Sequence, residues 1–111
     1  MDFSRDPELE QIRVEAEKLA SAFDDENWSR CDEAHEFPWE YYDAFAKGGW
    51  IGILVPEEYG GAGLGLMHAC TLLRSVAGSA GAMNAGSALH LSIWGMGPVI
   101  HHGSEAMKQR Y

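Results

Sequence analysis

Residues 50–66 read WIGILVPEEYGGAGLGL, and this segment is the most informative part of the chain. An apolar stretch ends at Pro56, whose ring pushes Val55 toward extended geometry. Four glycines then fall within residues 60–65, and glycine can take a positive φ or let another backbone approach closely. An apolar pattern with helical spacing begins at Leu66. The segment therefore predicts a tight turn between two helical regions.

Two helices are predicted before this turn. Asp6 followed by Pro7 is typical of a helix start, because an acceptor side chain precedes a residue whose missing N–H is harmless there. Apolar residues at helical spacing predict one amphipathic helix over 7–26, followed by a polar connection over 27–36 with Trp28 against the core. The second helix opens after Phe37-Pro38, ends at the Gly48-Gly49 C-cap, and carries on one face Trp39, Tyr42 and Phe45. Residues 50–55 could form a last helical turn or an extended buried segment.

Three more helices are predicted after the turn. The third covers 66–77, with Arg74 outward and a buried stripe of Leu66, Cys70, Leu73 and Ala77. After a break at 78–81, the fourth covers 83–101, and Ser104 caps a fifth over 105–111. No repeat or linker is present, so residues 1–111 are expected to form one all-α domain, an orthogonal or up-down bundle of about five helices.

Charge is distributed unevenly along the chain. Up to Gly60 there are sixteen acids and five bases, and beyond it one acid and three bases, for a net charge of −9. A nucleic-acid partner would require a basic stripe, and an anionic membrane surface is disfavoured for the same reason. The acidic half is interpreted as a solvated helix surface.

Residues 75–104 contain no Asp, Glu, Lys or Arg. A membrane span needs about twenty consecutive apolar residues, and Gly, Ser, Asn and His dilute this stretch too much, so we reject a span. We expect instead a helix that is buried nearly all round. A free 111-residue chain would struggle to cover it, which indicates that further chain, another subunit or a ligand does so.

The two cysteines and the start of the chain favour a cytoplasmic location. Cys31 and Cys70 form no Cys-x-x-Cys pair and suit a reducing compartment. The opening residues 1–6 have no basic n-region and no apolar h-region, so no secretory signal is expected.

No catalytic, cofactor-binding or metal-binding residue is predicted from motifs. Gly61-x-Gly63-x-Gly65 does not complete a dinucleotide-binding fingerprint, because Leu66 occupies the last glycine position. Adjacent His101-His102 would point about 100° apart on a helix, which does not favour a shared metal. Glu57-Glu58 are neighbours in a turn and are interpreted as solvated.

One constellation on the fourth helix remains a candidate site. Ser87, His90, Leu91 and Trp94 fall at i, i+3, i+4 and i+7 and therefore share one face. A hydroxyl, an imidazole and an indole among small residues could line a narrow apolar pocket with a few polar groups. The spacing alone slightly favours satisfied core residues, and both readings stay open at this point.

The motifs in their order resemble the N-terminal helical domain of the acyl-CoA dehydrogenases. The resemblance spans nearly the whole chain and rests on Phe-Pro at 37–38, Ala-x-x-Gly-Trp at 46–50, Val-Pro-Glu-Glu-Tyr-Gly-Gly-x-Gly at 55–63, Gly-Pro-Val-Ile at 97–100 and His-Gly-Ser-Glu-Ala-Met-Lys-Gln-Arg-Tyr at 102–111. The chain departs from the family at Leu72 to Ser75, where acids are usual, and at Met107, where glutamine is common.

The resemblance implies a three-part enzyme, usually a homotetramer, that oxidises an acyl-CoA thioester to the trans-2-enoyl-CoA. In such enzymes a glutamate takes the α-proton, FAD takes the β-hydride and an electron-transferring flavoprotein reoxidises the flavin. The glutamate and the flavin-binding strands lie in the β-domain and C-terminal helical domain, so this chain alone is expected to be inactive and to hold no FAD. The family's fourth helix forms one wall of the acyl pocket.

By position, that wall corresponds to Ser87, His90, Leu91 and Trp94, and the bulk of Trp94 favours a short, branched or cyclic acyl group. Two alternatives remain. One is a segment of a flavin monooxygenase or oxidase with the same fold. The other is a free-standing helical interaction module that docks on a partner subunit.

Overall fold

The computed structural model describes residues 6–111, and these residues form seven α-helices and one 3₁₀ turn, with no strand among them. The elements are α1 Pro7–Ala20, α2 Asp25–Ala34, α3 Trp39–Lys47, the 3₁₀ turn Glu57–Tyr59, α4 Leu66–Ala77, α5 Ala82–Gly95, α6 Gly97–His102 and α7 Glu105–Arg110. The all-α prediction is confirmed. Residues 1–5, on which the expectation of no secretory signal largely rests, lie outside the described residues.

Helix α4 forms the centre of the domain because both α1 and α5 pack against it. Alanines occupy these contacts, and their small side chains let the helices approach closely: Ala16, Ala20, Ala69, Ala85 and Ala88 are all buried. The largest fully buried side chains include Tyr41, Phe45, Leu72 and Leu89. The domain measures 42 × 41 × 20 Å, and 20 Å is about two helix diameters.

The glycine segment folds back along the chain that precedes it. Residues 51–54 form consecutive turns, neither a regular helix nor a strand, and Ile53 among them is buried. The N–H of Gly63 donates to the Val55 carbonyl at 2.9 Å, and the N–H of Leu64 donates to Ile53 at 2.9 Å. A Cβ on Gly61 would lie 2.0 Å from the Val55 carbonyl oxygen. Glycine is therefore required there by the close approach of two backbones.

Several boundaries predicted from local chemistry are confirmed. Asp6 accepts from the Glu8 N–H at 2.9 Å and Pro7 begins α1. Ser104 accepts from the Met107 N–H at 3.3 Å and begins α7. Gly48 is the C-cap of α3, and α4 has the predicted bounds.

The first predicted helix and the connection after it are wrong. Helix α1 ends at Ala20, and residues 27–36 lie largely in a separate helix, α2. Asp24 starts that helix by accepting from the Asn27 N–H at 3.0 Å. Trp28 is buried, as predicted.

The predicted buried stripe of α4 is also wrong. In α3, Trp39 and Tyr42 lie on one face, with ring centroids 6.1 Å apart. The buried residues of α3 are Tyr41 and Phe45, and Trp39 is 62% exposed. In α4 the stripe Leu66, Cys70, Leu73 and Ala77 is displaced by one residue, and the buried set is Ala69, Leu72, Ser75 and Val76. Small Ala69 and Ser75 give α1 and α5 room to pack, which a pattern based on the largest apolar residues misses. Arg74 is exposed, as predicted.

The predicted fourth helix over 83–101 is interrupted, because α5 ends at Gly95 and α6 begins at Gly97. Pro98 causes the break: it has no N–H to donate to the preceding helical turn, and its ring disfavours helical geometry before it. The domain therefore has more and shorter helices than the five expected.

Candidate functional site

The four predicted site residues lie together on the outer side of α5, and among them Trp94 also packs against the edge of the core. Ser87 and His90 are exposed, Leu91 is 73% exposed and Trp94 is half-buried. Met83, at the start of the helix, is 77% exposed. We call Met83, Ser87, His90, Leu91 and Trp94 the α5 outer face. It contains no charged residue, although the exposed surfaces of proteins are usually rich in charged side chains.

The opposite side of α5 is held firmly by the core. Ala85, Leu89 and Ile93 are buried against the rest of the domain. The Tyr41 hydroxyl donates to the Ala85 carbonyl at 3.1 Å, and burial raises the pKa of this phenol. The Tyr42 hydroxyl lies 3.0 Å from the Ser92 Oγ. Two adjacent tyrosines of α3 therefore fix the position of α5, and with it the direction in which the α5 outer face points.

These findings correct the expectation that the fourth helix is buried nearly all round. One side of α5 is buried by this chain, and the other is open to solvent. The second open reading, that the four residues are satisfied core residues, is wrong for Ser87, His90 and Leu91, which are exposed. That they line an acyl pocket stays a prediction.

Two grooves on the described part of the chain stand out, and the four predicted residues line neither of them. A groove of about 1010 Å³ runs between α1 and α4, with a lining that includes Arg13, Glu17, Met67, Thr71 and Arg74. Arg13 donates to Glu17 at 2.6 Å and is also paired with Glu10, and these two hydrogen bonds raise the pKa of its guanidinium. A second groove, of about 350 Å³, lies between α1 and residues 48–64.

The glycine turn is structural and does not form a phosphate-binding loop. The N–H groups of residues 60–64 all donate to backbone carbonyls between residues 52 and 57. The N–H of Gly65 donates to the His68 Nδ1 at 3.1 Å. A phosphate cradle needs backbone N–H groups that are free to point at the ligand. The amides of this turn are already bonded within the protein.

No other catalytic or binding centre emerges from the described residues. They contain no cluster of three or more His, Cys, Asp or Glu with the geometry of a metal site. Cys31 and Cys70 are both free. Within residues 6–111, the helices are too short or too polar to cross a lipid bilayer.

A contact between the 3₁₀ turn and α7 was not predicted. The Tyr59 hydroxyl donates to the Glu105 Oε2 at 2.7 Å across 46 residues of sequence. The carboxylate that accepts this bond raises the pKa of Tyr59 to about 12. Hydrogen bonds from Gln109 and Tyr59 lower the pKa of Glu105. The isolation of Glu105 as the one acid beyond Gly60 was the signal in the sequence that could have drawn attention to it.

Comparison with known proteins gives a consistent result. A family model described as acyl-CoA dehydrogenase, N-terminal domain, matches residues 6–111. An acyl-CoA dehydrogenase of Bacillus subtilis is 30% identical over 72% of this chain and 21% of its own length. A cyclohex-1-ene-1-carbonyl-CoA dehydrogenase of Geobacter metallireducens is 38% identical over 72% of this chain and 20% of its own length.

A mitochondrial isovaleryl-CoA dehydrogenase of Oryza sativa is 27% identical over 96% of this chain and 26% of its own length. The chain therefore spans about a fifth to a quarter of the length of these relatives. No solved structure gives a significant match.

Proposed function

This chain belongs to the acyl-CoA dehydrogenase family through its N-terminal domain, and from that premise we propose that it is part of an FAD-dependent enzyme. The proposed enzyme oxidises an acyl-CoA thioester to the enoyl-CoA, removing one proton from the α-carbon and one hydride from the β-carbon. FAD, when bound by the rest of the enzyme, supplies the hydride acceptor, and an electron-transferring flavoprotein receives the electrons. We further propose a cytoplasmic homo-oligomer.

The contribution of this chain is one wall of the acyl pocket, formed by Ser87, His90, Leu91 and Trp94. The observation that carries this proposal is the uncharged but exposed α5 outer face, on which Leu91 is 73% exposed. An apolar acyl group gains free energy when such a surface removes it from water. Ser87 and His90 add the few polar groups that fix orientation in pockets of this kind.

Trp94 is proposed to limit the length of the acyl group. Its indole is the largest side chain on the α5 outer face and is half-buried, so its packing restricts how far it can move. A pocket narrowed by this ring suits a short, branched or cyclic acyl group. The named substrates of two relatives, isovaleryl-CoA and cyclohex-1-ene-1-carbonyl-CoA, belong to these classes.

The glycine turn does not fit the phosphates of FAD, because its amides are bonded internally. The flavin is therefore assigned to the remainder of the enzyme, and no chemical step is assigned to this chain. Its residues bind and orient the acyl group and exclude water. The purified 111-residue chain should show no flavin absorbance after incubation with FAD and gel filtration; a yellow protein would contradict this division of roles.

Substitution of Trp94 in the complete enzyme tests the pocket wall. Trp94→Ala should shift the ratio of kcat/KM values toward longer acyl-CoA substrates, because removing an indole opens space for several methylene groups. Trp39→Ala is the matched control, since Trp39 is an exposed tryptophan on α3. An unchanged chain-length profile for Trp94→Ala, or an equal shift for Trp39→Ala, would refute the role of the α5 outer face.

A further inference from the structure

The middle of the α5 outer face is polar, whereas its two ends are mainly apolar. Ser87 and His90 lie on adjacent turns of the helix, with about 5–6 Å between their Cβ atoms. Met83 lies one turn before Ser87, and Trp94 lies one turn after His90. A ligand that runs along this face would therefore meet apolar, polar and again apolar side chains in turn.

Neither polar side chain in the middle of this face has a hydrogen-bond partner within residues 6–111. The Ser87 hydroxyl and the His90 imidazole are exposed and make no bond to any described group. Hydroxyls on the neighbouring helix α4 behave differently, because Thr71 and Ser75 donate to carbonyls four residues earlier at 2.8 and 2.7 Å. Both groups on α5 therefore keep their hydrogen-bonding capacity for a ligand.

Covering these two groups with a plain hydrocarbon would be unfavourable. A hydroxyl or an imidazole N–H that loses water without gaining another hydrogen bond costs free energy. An oxygen atom on the acyl group would replace the lost water, and one oxygen can accept from both Ser87 and His90. The polar pair therefore suits an oxygenated acyl group better than a hydrocarbon of the same shape.

The charge of the surrounding chain indicates which oxygen group fits. Residues 75–104 contain no Lys or Arg, and Arg74 lines the groove between α1 and α4. A carboxylate at this point would lack the guanidinium or ammonium partner that such groups usually have when they leave water. A carbonyl or hydroxyl oxygen carries no charge and needs only hydrogen-bond donors. The α5 outer face therefore favours a neutral oxygen.

We propose that the acyl substrate carries a neutral oxygen, as a ketone or a hydroxyl, and that Ser87 and His90 are the specificity-determining residues that bind it. This inference rests on the proposed function, which assigns the α5 outer face to the acyl pocket. The oxygen lies beyond the β-carbon and takes no part in the reaction, since the proton leaves the α-carbon and the hydride leaves the β-carbon. Met83 and Trp94 contact the apolar parts of the acyl group on either side.

Matched pairs of acyl-CoA substrates test this inference in the complete enzyme. The first pair is 4-oxopentanoyl-CoA and 4-methylpentanoyl-CoA, in which an oxygen replaces a methyl group. The second pair, 5-oxohexanoyl-CoA and 5-methylhexanoyl-CoA, moves the same exchange one carbon along the chain. We expect the kcat/KM of the keto substrate to exceed that of its methyl partner about 100-fold in at least one pair, because the methyl group leaves both donors unpaired.

Substitutions of the two polar residues show whether they cause this preference. Ser87→Ala and His90→Leu should each lower the keto-to-methyl ratio about tenfold, because each removes one hydrogen bond to the oxygen. Ser87→Thr keeps the hydroxyl and should keep most of the preference. Ser29→Ala is the matched control, since Ser29 is exposed on α2, makes no side-chain bond to a described group, and should leave the ratio unchanged. Comparing ratios between variants cancels the intrinsic reactivity of the two substrates.

The outcomes separate this inference from the proposed function. Ratios near one in both pairs, or ratios that Ser87→Ala and His90→Leu do not change, would overturn the inference, while oxidation of the methyl substrates would still support the proposed function. A higher kcat/KM for glutaryl-CoA, which carries a carboxylate, than for either keto substrate would contradict a neutral oxygen. A flavin-loaded enzyme that oxidises none of these thioesters would overturn the proposed function and this inference with it.

Discussion

Helices α1 and α5 are alike in length and in the way they pack, and they differ on their outer faces. Each has 14 residues, packs against α4 and buries alanines in that contact. The outer face of α1 carries acids and a lysine, whereas the α5 outer face carries no charge and exposes Leu91 and Met83. Each helix has one side buried by this chain and the other open to solvent, so burial within the chain does not explain the difference in composition of the outer faces.

The difference indicates that the two outer faces meet different surroundings in the complete protein. Charged side chains on α1 suit water, since their hydration is retained. An uncharged face of Met, Ser, His, Leu and Trp suits contact with an apolar group that bears a few polar atoms. This composition is what the proposed acyl-pocket wall requires of the α5 outer face.

The strongest test of this comparison is to truncate one leucine on each side of α5. Leu89 is fully buried and Leu91 is 73% exposed. Leu89→Ala should lower the free energy of unfolding by about 2–5 kcal/mol, because it leaves a cavity, and Leu91→Ala should change it by less than about 0.5 kcal/mol. Urea denaturation of the isolated chain measures both. Equal losses would mean that the α5 outer face is also packed within this chain.

Substitutions of the two tyrosines that hold α5 should lower the free energy of unfolding by less. Tyr41→Phe removes the buried hydrogen bond to the Ala85 carbonyl and should cost about 1 kcal/mol of unfolding free energy. Tyr42→Phe removes the half-exposed bond to Ser92 and should cost about 0.5 kcal/mol, since water can replace it. Thermal denaturation at a fixed pH compares them. A larger loss for Tyr42→Phe would show that α5 is anchored mainly near its C-terminal end.

The smallest expected effect concerns pH and Glu105, the one acid beyond Gly60. Hydrogen bonds from Gln109 and Tyr59 lower the pKa of Glu105 below its usual 4.5, with a further contribution from Lys108. The hydrogen bond from Tyr59 to Glu105 is therefore fully formed above pH 4.5 and should weaken as the pH falls through the lowered value. Glu58 also faces Tyr59 and raises its pKa. The melting temperature of the chain should fall slightly on acidification through this range, and Glu105→Gln should remove this contribution; an equal pH dependence in Glu105→Gln would contradict it.

Local chemistry explains which parts of the fold could be predicted. The starts of α1 and α7 follow from Asp6 with Pro7 and from Ser104, because a cap acts within three residues. The buried stripe of α4 could not be predicted in the same way, since leucines lie on both candidate faces and packing by α1 and α5 decides between them. Pro98 was a sequence signal for the break between α5 and α6. The predicted helix was nevertheless extended across it, because the surrounding residues form one continuous uncharged stretch.

The candidate site, too, could be predicted only where local spacing determines it. Helical spacing was sufficient to place Ser87, His90, Leu91 and Trp94 on one face of a helix. Whether that face points inward or outward depends on contacts from α3 and α4, which are distant in sequence. The bond from Tyr59 to Glu105 spans 46 residues, so no local pattern could have predicted it.

The reactivity of a cysteine at position 91 tests most directly whether the α5 outer face is covered in the complete enzyme. Leu91→Cys is placed in a background with Cys31→Ser and Cys70→Ser, with Val14→Cys on the exposed side of α1 as the control. The account predicts fast alkylation of both thiols in the isolated chain. In the complete enzyme, alkylation at position 91 should slow strongly, and further with acyl-CoA bound, while position 14 is unaffected. Equal rates at position 91 in the chain and in the complete enzyme would contradict the account.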